Sequence, residues 1–208
     1  MERAISTEIR RAIAFVDGQN LYHAARKAFG QSYPSYDVQA LASAVCSRNG
    51  WSLAQTRFYT GLHDVSENPF WHSFWISKIA AMRGQGVEVY TRPIRYRNKK
   101  IDLPDGTSHS FRTGEEKGID VRIALDVVRL ASDRSYDVGL IFSQDQDFSD
   151  VAIDVRAIAT AQRRWIKLAS AFPVGRGTHF RRGIDRTDWI AIDEATYCAC
   201  LDPRDHRS

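Results

Sequence analysis

Cysteine is scarce in this 208-residue chain: three residues, Cys46, Cys198 and Cys200, with no regular spacing. An odd, irregular set excludes the disulfide framework that staples small secreted domains. Cys198-Ala-Cys200 with His206 still falls short of the roughly four ligands of a structural zinc site. Long apolar runs are missing as well. Val138–Phe142 is among the longest, against the roughly 20 residues a membrane helix needs, so no membrane association is expected. The N-terminal Met-Glu-Arg-Ala-Ile-Ser carries no apolar segment, so no secretory leader is expected and the expected location is the cytoplasm. Several catalytic signatures are absent too. There is no Gly-x-x-x-x-Gly-Lys-Ser/Thr phosphate loop and no Gly-x-Ser-x-Gly elbow. Asp17-Gly-Gln lacks the second acid of an aspartyl-phosphate phosphatase, and His23, His63 and His72 are scattered.

What is present suits one globular domain over residues 1–208, with 43% hydrophobic and 11% aromatic residues. A net charge of +4 and a pI near 9.0 permit nucleic-acid binding without establishing it. Short β-branched apolar runs alternate with amphipathic stretches along the chain. Strands are expected at 12–16, 53–59, 87–90, 137–142 and 164–169, with a last short one at 189–192. Helices are expected from Asn20, as N-cap, to Phe29, and over 38–46 behind an Asp37 cap. Further helices are expected at 70–83, with Phe70, Phe74, Ile76 and Ile79 inward, and at 118–131 and 147–160. Residues 91–114 break the alternation as a basic insertion with a hairpin-like turn at Asp105-Gly106. A short mobile C-terminal tail is expected. Strand–helix alternation of this kind implies an α/β fold, a mostly parallel central sheet with helices on both faces.

In such sheets ligands collect outside the carboxyl ends of the strands. Asp17 directly follows the first strand, and Asp145 and Asp147 follow the fourth in Ser143-Gln-Asp-Gln-Asp-Phe148. Asp120 opens the intervening helix. Carboxylates that converge raise one another's pKa values, and a hard divalent cation relieves the repulsion. Two such ions about 3.5–4 Å apart can clamp both oxygens of a displacement at phosphorus. Each acid also has a plainer reading. Asp17 ends a strand, one of Asp145 and Asp147 caps a helix, and the helix dipole favours Asp120. Asp126 lies about 120° round the helix from Asp120, so the two do not share one small site. It is expected to hydrogen-bond within the fold.

Three blocks, Phe15-Val-Asp-Gly-Gln-Asn-Leu-Tyr22, Glu116-Lys-Gly-Ile-Asp-Val121 and Phe142-Ser-Gln-Asp-Gln-Asp-Phe148, resemble the signature blocks of NYN domains. The likeness is to the LabA-like (DUF88) branch of the PIN-like nuclease superfamily, and runs from about Ala12 to Ile192. The resemblance implies a Rossmann-like PIN fold and a Mg²⁺- or Mn²⁺-dependent ribonuclease. It implies metal-binding, catalytic acids at Asp17, Asp120, Asp145 and Asp147, with Asn20, Ser143 and Lys117 contacting or orienting the substrate. Gln144 departs from the family, which usually has a small residue there, often glycine; that departure narrows the site.

Arg92, Arg95, Arg97, Lys99, Lys100 and Arg112 alternate with Tyr90, Tyr96 and Phe111 in the basic segment. Cations neutralise phosphates and aromatic faces stack on unpaired bases, which makes Arg95 and Arg97 candidate contacts for single-stranded RNA. A solvated loop explains the same composition equally well. A second basic loop, 175–183, either lines the cleft or only turns. Three functions follow: a metal-dependent ribonuclease, a non-catalytic RNA-binding module, or a small-molecule enzyme reusing the strand-end pocket. For the last, Phe70, Trp71, Phe74 and Trp75 would form pocket walls, although their helical spacing also fits core. The oligomeric state stays open between monomer and homo-oligomer.

Overall fold

The computed structural model describes residues 9–103, 107–178 and 181–207. Strand β1 (Arg10–Asp17) is its axis. Ala12, Ala14 and Val16 enter one apolar layer, Ile13 and Phe15 the other, and all five are buried. Side chains alternate across a strand with period two, so a continuous apolar run must be covered on both faces. The chain continues through α1 (Gly18–Phe29), α2 (Val38–Arg48), β2 (Trp51–Leu62), α3 (Pro69–Gly84) and β3 (Glu88–Pro93). Then come β4 (Arg95–Asp102), β5 (Ser108–Glu115), α4 (Ile119–Ser132), β6 (Val138–Phe142) and α5 (Ser149–Ala161). Strands β7 (Lys167–Pro173) and β8 (Asp188–Ile192) and helix α6 (Glu194–Ala199) complete it.

Six strands pair in the order β3-β2-β1-β6-β7-β8, and every neighbouring pair is parallel. Leu21, Leu41, Phe74 and Tyr197 bring α1, α2, α3 and α6 onto one face. Ile123, Val127, Val151 and Val155 bring α4 and α5 onto the other. The expected α/β sandwich is therefore present. Each fully buried Leu, Ile, Val or Phe contributes roughly 1.5–3 kcal/mol. Strand order reverses between β1 and β6, and this switch point opens a crevice at their carboxyl ends.

The local structure departs from expectation in several places. Asp17, not Asn20, caps α1, accepting a hydrogen bond from Asn20 N at 3.0 Å. Helix α3 buries Phe74, Trp75, Lys78, Ile79 and Met82, while Phe70 and Ile76 are 42% and 48% exposed. Ile76 lies two residues from Phe74, about 200° round the helix, so both cannot face the core. Strand β2 runs through Gly61 to Leu62, because β3 pairs with it as far as Pro93. Strand β7 starts at Lys167 rather than Arg164. Arg163 turns the chain with φ 51°, and the Arg164 guanidinium donates to Tyr136 O and Ala131 O. Helix α6 was not expected.

The basic insertion forms a regular two-stranded antiparallel hairpin, β4 with β5, drawn together where Leu103 N donates to Thr107 O at 2.7 Å. The expected turn at Asp105-Gly106 lies outside the described residues, as do His179 and Phe180 of the second basic loop. The C-terminal residues are held to α3 by side-chain contacts. Buried Lys78 donates to Tyr36 O at 2.8 Å and meets Asp202 at 3.4 Å, and buried His206 joins Asp202 to Ser77. Among the described residues no helix is long and apolar enough to cross a membrane.

Candidate functional site

Asp17 ends β1 at the switch point and is only 4% exposed. Its Oδ1 accepts from Asn20 N, and its Oδ2 lies 3.5 Å from the Ser143 hydroxyl just beyond β6. Ser143 Oγ accepts from Asp145 N at 3.2 Å, and Asp145 Oδ1 accepts from Asp147 N at 3.0 Å. Asn20 Oδ1 accepts from Gln144 N at 3.1 Å. The two strand ends are thus tied together by Asn20 and Ser143, and Asp145 caps a single 3-10 turn leading into α5. Asn20 and Ser143 hold the loop; their polar atoms are engaged with it.

A third wall comes from the chain between the hairpin and α4. Glu116 accepts from Gly61 N at 2.6 Å through Oε1. A Cβ at Gly61 would stand 2.6 Å from Glu116 Cγ and 2.8 Å from Ile94, so only glycine lets this carboxylate approach β2. Glu116 sits inside one of the acidic blocks, yet it was given no role from the sequence. Asp120 is exposed in the first turn of α4, one turn beyond it.

These acids act on one another. Burial pushes the Asp17 carboxyl up to about 7, with Asp120, Glu116 and Asp145 adding repulsion against the lowering hydrogen bond from Asn20. Burial, then Asp120, raises Glu116. Burial, then Asp145 and Asp147, raises Asp120. The neighbouring charges that raise Glu116 and Asp120 are other carboxylates. Charge thus couples Asp17 to Asp120, Glu116 and Asp145, and Asp120 to Asp145 and Asp147.

Burial of Asp17, with this repulsion added, sets a pH dependence. Asp17 keeps its proton in the folded protein to about pH 7, while the unfolded chain loses it near pH 4. The unfolded state then binds fewer protons between these values, so metal-free stability falls as pH rises through that window and levels off above it. At 1.36 kcal/mol per pKa unit the penalty is about 4 kcal/mol. Asp17→Asn keeps the helix cap and removes the charge. It should raise the melting temperature in EDTA at pH 8 by several degrees and leave it unchanged at pH 4; equal shifts at both would contradict the assignment.

The other expected contacts lie elsewhere. Arg95 and Arg97 share a face of β4 with Lys99, and Lys99 pairs with Glu115 at 2.7 Å. Arg97 and Lys117 both act on Glu115, so the exposed cations gather there. Asp126 is buried on the opposite side of α4, bonded to Tyr59, Arg57, Arg122 and Arg129, and belongs to the packing as expected. Among the described residues no group of three or more His, Cys, Asp or Glu side chains stands close enough to hold a metal ion.

The NYN domain family matches residues 11–162, which include all three acidic blocks and every strand through β6. The chain belongs to the NYN domain family. It thereby falls in the PIN-like nuclease superfamily, whose members often use divalent metal ions. Strands β7 and β8 of this NYN chain lie beyond the matched residues. Comparison with curated proteins finds no match. A solved structure from Vibrio parahaemolyticus RIMD 2210633, the protein of unknown function VPA0982, is 21% identical with a TM-score of 0.53. The match covers 93% of this chain and 98% of that one, and it supports the fold. Giardia lamblia ribokinase shares 10% identity at a TM-score of 0.39, over 85% of this chain and 51% of its own.

Proposed function

We propose that this NYN domain, as a member of the LabA-like branch, hydrolyses phosphodiester bonds of single-stranded RNA with Mg²⁺ or Mn²⁺. The observation that carries the reading is the set of mutually repelling acids at the switch point, with buried Asp17 raised to about 7. Their oxygens suit a hard divalent cation, and Asp17, Asp120, Asp145 and Asp147 are the residues that would hold it. Glu116 is close enough in charge to assist them. Bound there, a divalent cation supplies Lewis-acid stabilisation at phosphoryl oxygens and lowers the pKa of water. Ser143 and Asn20 orient Asp17 and the 143–147 loop through the hydrogen bonds above. Lys117, Arg95 and Arg97 serve as phosphate contacts, screened in part by Glu115.

One observation favours a second reading, a non-catalytic RNA-binding module. The carboxylates do not close into a ligand group among the described residues. Like charges without a counter-ion keep apart, so the ribonuclease reading requires them to draw together on metal binding. The two readings separate on the intact protein incubated with mixed single-stranded RNA, in Mn²⁺ and in EDTA. Cleavage only with Mn²⁺ supports the ribonuclease. Salt-sensitive binding without cleavage at any metal concentration supports the module and removes the enzyme.

A further inference from the structure

Beside the carboxylates lies a hollow of about 270 Å³ between α1, α3 and the end of β2. Gly18, the residue after Asp17, and Glu116 line it, so it opens directly from the acidic site. Its walls are aromatic: Tyr22 from α1 and Trp71 and Trp75 from α3. Tyr22, Arg26 and Trp71 also line a second, more open hollow of about 580 Å³, which carries Tyr33 and Phe70. The two hollows adjoin at Tyr22, Arg26 and Trp71, and further rings follow on the side away from Gly18. Tyr22 and Trp71 stand 6.4 Å apart, Tyr33 and Trp71 5.8 Å, and Tyr33 and Phe70 6.0 Å. Phe70, 42% exposed, faces the second hollow.

Cations flank the rings. Arg26 is exposed beside both hollows, and Arg207 lies over the Tyr33 ring at 5.4 Å. His23 and His63 line the inner hollow and add polar edges to it, His63 Nδ1 being engaged with the Tyr96 hydroxyl at 2.7 Å. Aromatic faces beside cations, with a few polar edges, are the chemistry that takes unstacked bases and the phosphates between them. A purely apolar peptide groove would have no use for the paired cations or the opening onto an acidic site.

We propose that the α1–α3 groove is a nucleobase track, in which an unpaired base beside the phosphate at Asp17 stacks on Tyr22 and Trp71 and the next base reaches Tyr33 and Phe70. The track rests on the phosphodiester reading for its direction, but its base recognition is independent of turnover. It assigns the aromatic end of α3 to substrate strand binding and leaves the basic hairpin to phosphates on another side.

Two measurements test it on the whole protein and on Tyr22→Ala and Tyr22→Phe. Tryptophan fluorescence is followed during titration with AMP and with ribose 5-phosphate, which lacks the base, in Mg²⁺. The KM for cleavage of a single-stranded RNA is measured in Mn²⁺. AMP should quench and ribose 5-phosphate should not. Tyr22→Ala should weaken AMP binding and raise KM by about tenfold or more, with Tyr22→Phe near the parent. Equal responses to the two phosphates would overturn the base subsite. Base-dependent AMP binding with an unchanged KM in Tyr22→Ala would overturn the strand track and leave a free-nucleotide pocket. Base-dependent binding in a protein that never cuts RNA would support the subsite while sinking the ribonuclease reading. Should Tyr22→Ala melt below the assay temperature, Arg26→Ala, an exposed change, carries the same KM test and should raise it several-fold.

Discussion

Asp145→Asn should abolish Mn²⁺-stimulated cleavage of single-stranded RNA while leaving the melting temperature within a degree or two. Asparagine matches aspartate in volume and still accepts the hydrogen bond from Asp147 N that caps the 3-10 turn. What disappears is one negative charge near Asp17 and one of the proposed metal ligands. Several kcal/mol of transition-state stabilisation hang on such a centre, so about a thousandfold or greater loss is expected, at 1.36 kcal/mol per decade. The same change removes one of the charges that raise Asp17 and Asp120, so both carboxyls should titrate lower than in the parent. A fluorogenic RNA assay beside a circular-dichroism melt reads the two effects separately. Parent-like cleavage by a folded Asp145→Asn protein would exclude these carboxylates from the reaction.

The largest expected loss of stability is at the other end of the chain. Asp202 meets buried Lys78, accepts from Arg204 and pairs with buried His206 at 3.0 Å. Those hydrogen bonds and the Lys78 charge hold its carboxyl well below the usual range against the cost of burial. Asp202→Ala leaves the Lys78 ammonium, completely out of water, with the Tyr36 carbonyl as its hydrogen-bond acceptor and Asp37 as the remaining nearby charge of opposite sign among the described residues. Removing one member of a buried pair costs about 3–5 kcal/mol, because the other charge is left uncompensated. Lys78→Met should cost less than half as much, since Asp202 keeps Arg204 and His206. Chemical denaturation of both variants decides this, and equal losses would mean that the Lys78 ammonium is not the group left stranded. In the parent, a depressed carboxyl contributes stability above its unfolded value near pH 4, and that contribution is lost as pH falls below it.

Some features were legible because they are local. The run Ala12–Val16 can only be a strand covered on both faces, and Asp37 and Asn68 cap their helices where a helix start was expected. The acids after β1 and β6 were visible as chain positions next to apolar runs. Where neighbours in space compete, the sequence reading slipped. Asp17 took the cap of α1 from Asn20, because Asn20 Oδ1 is engaged with Gln144 N across the sheet. Phe70 and Ile76 are as apolar as Phe74 and Ile79, and nothing in their composition says which stripe of α3 meets the core. Residues 200–207 look like a polar tail, but Lys78 and Ser77 on α3 supply partners that no local pattern reveals.

The carboxylates divide the same way. Their residue types and strand-end positions, together with the likeness to NYN blocks, came from the sequence by itself, as did the α/β alternation that makes a parallel sheet. Only the tertiary structure decided that β1 and β6 are neighbours, that Gly61 admits the Glu116 carboxylate, and that Lys99, Arg97 and Lys117 gather about Glu115. It also decided that Trp71 and Trp75 line a hollow with Gly18 and Glu116, while Phe74 lies in the core. Periodicity and capping act over a few residues and can be read along the chain. Burial and Coulomb interaction depend on distance through space, which the chain reveals only once it has folded.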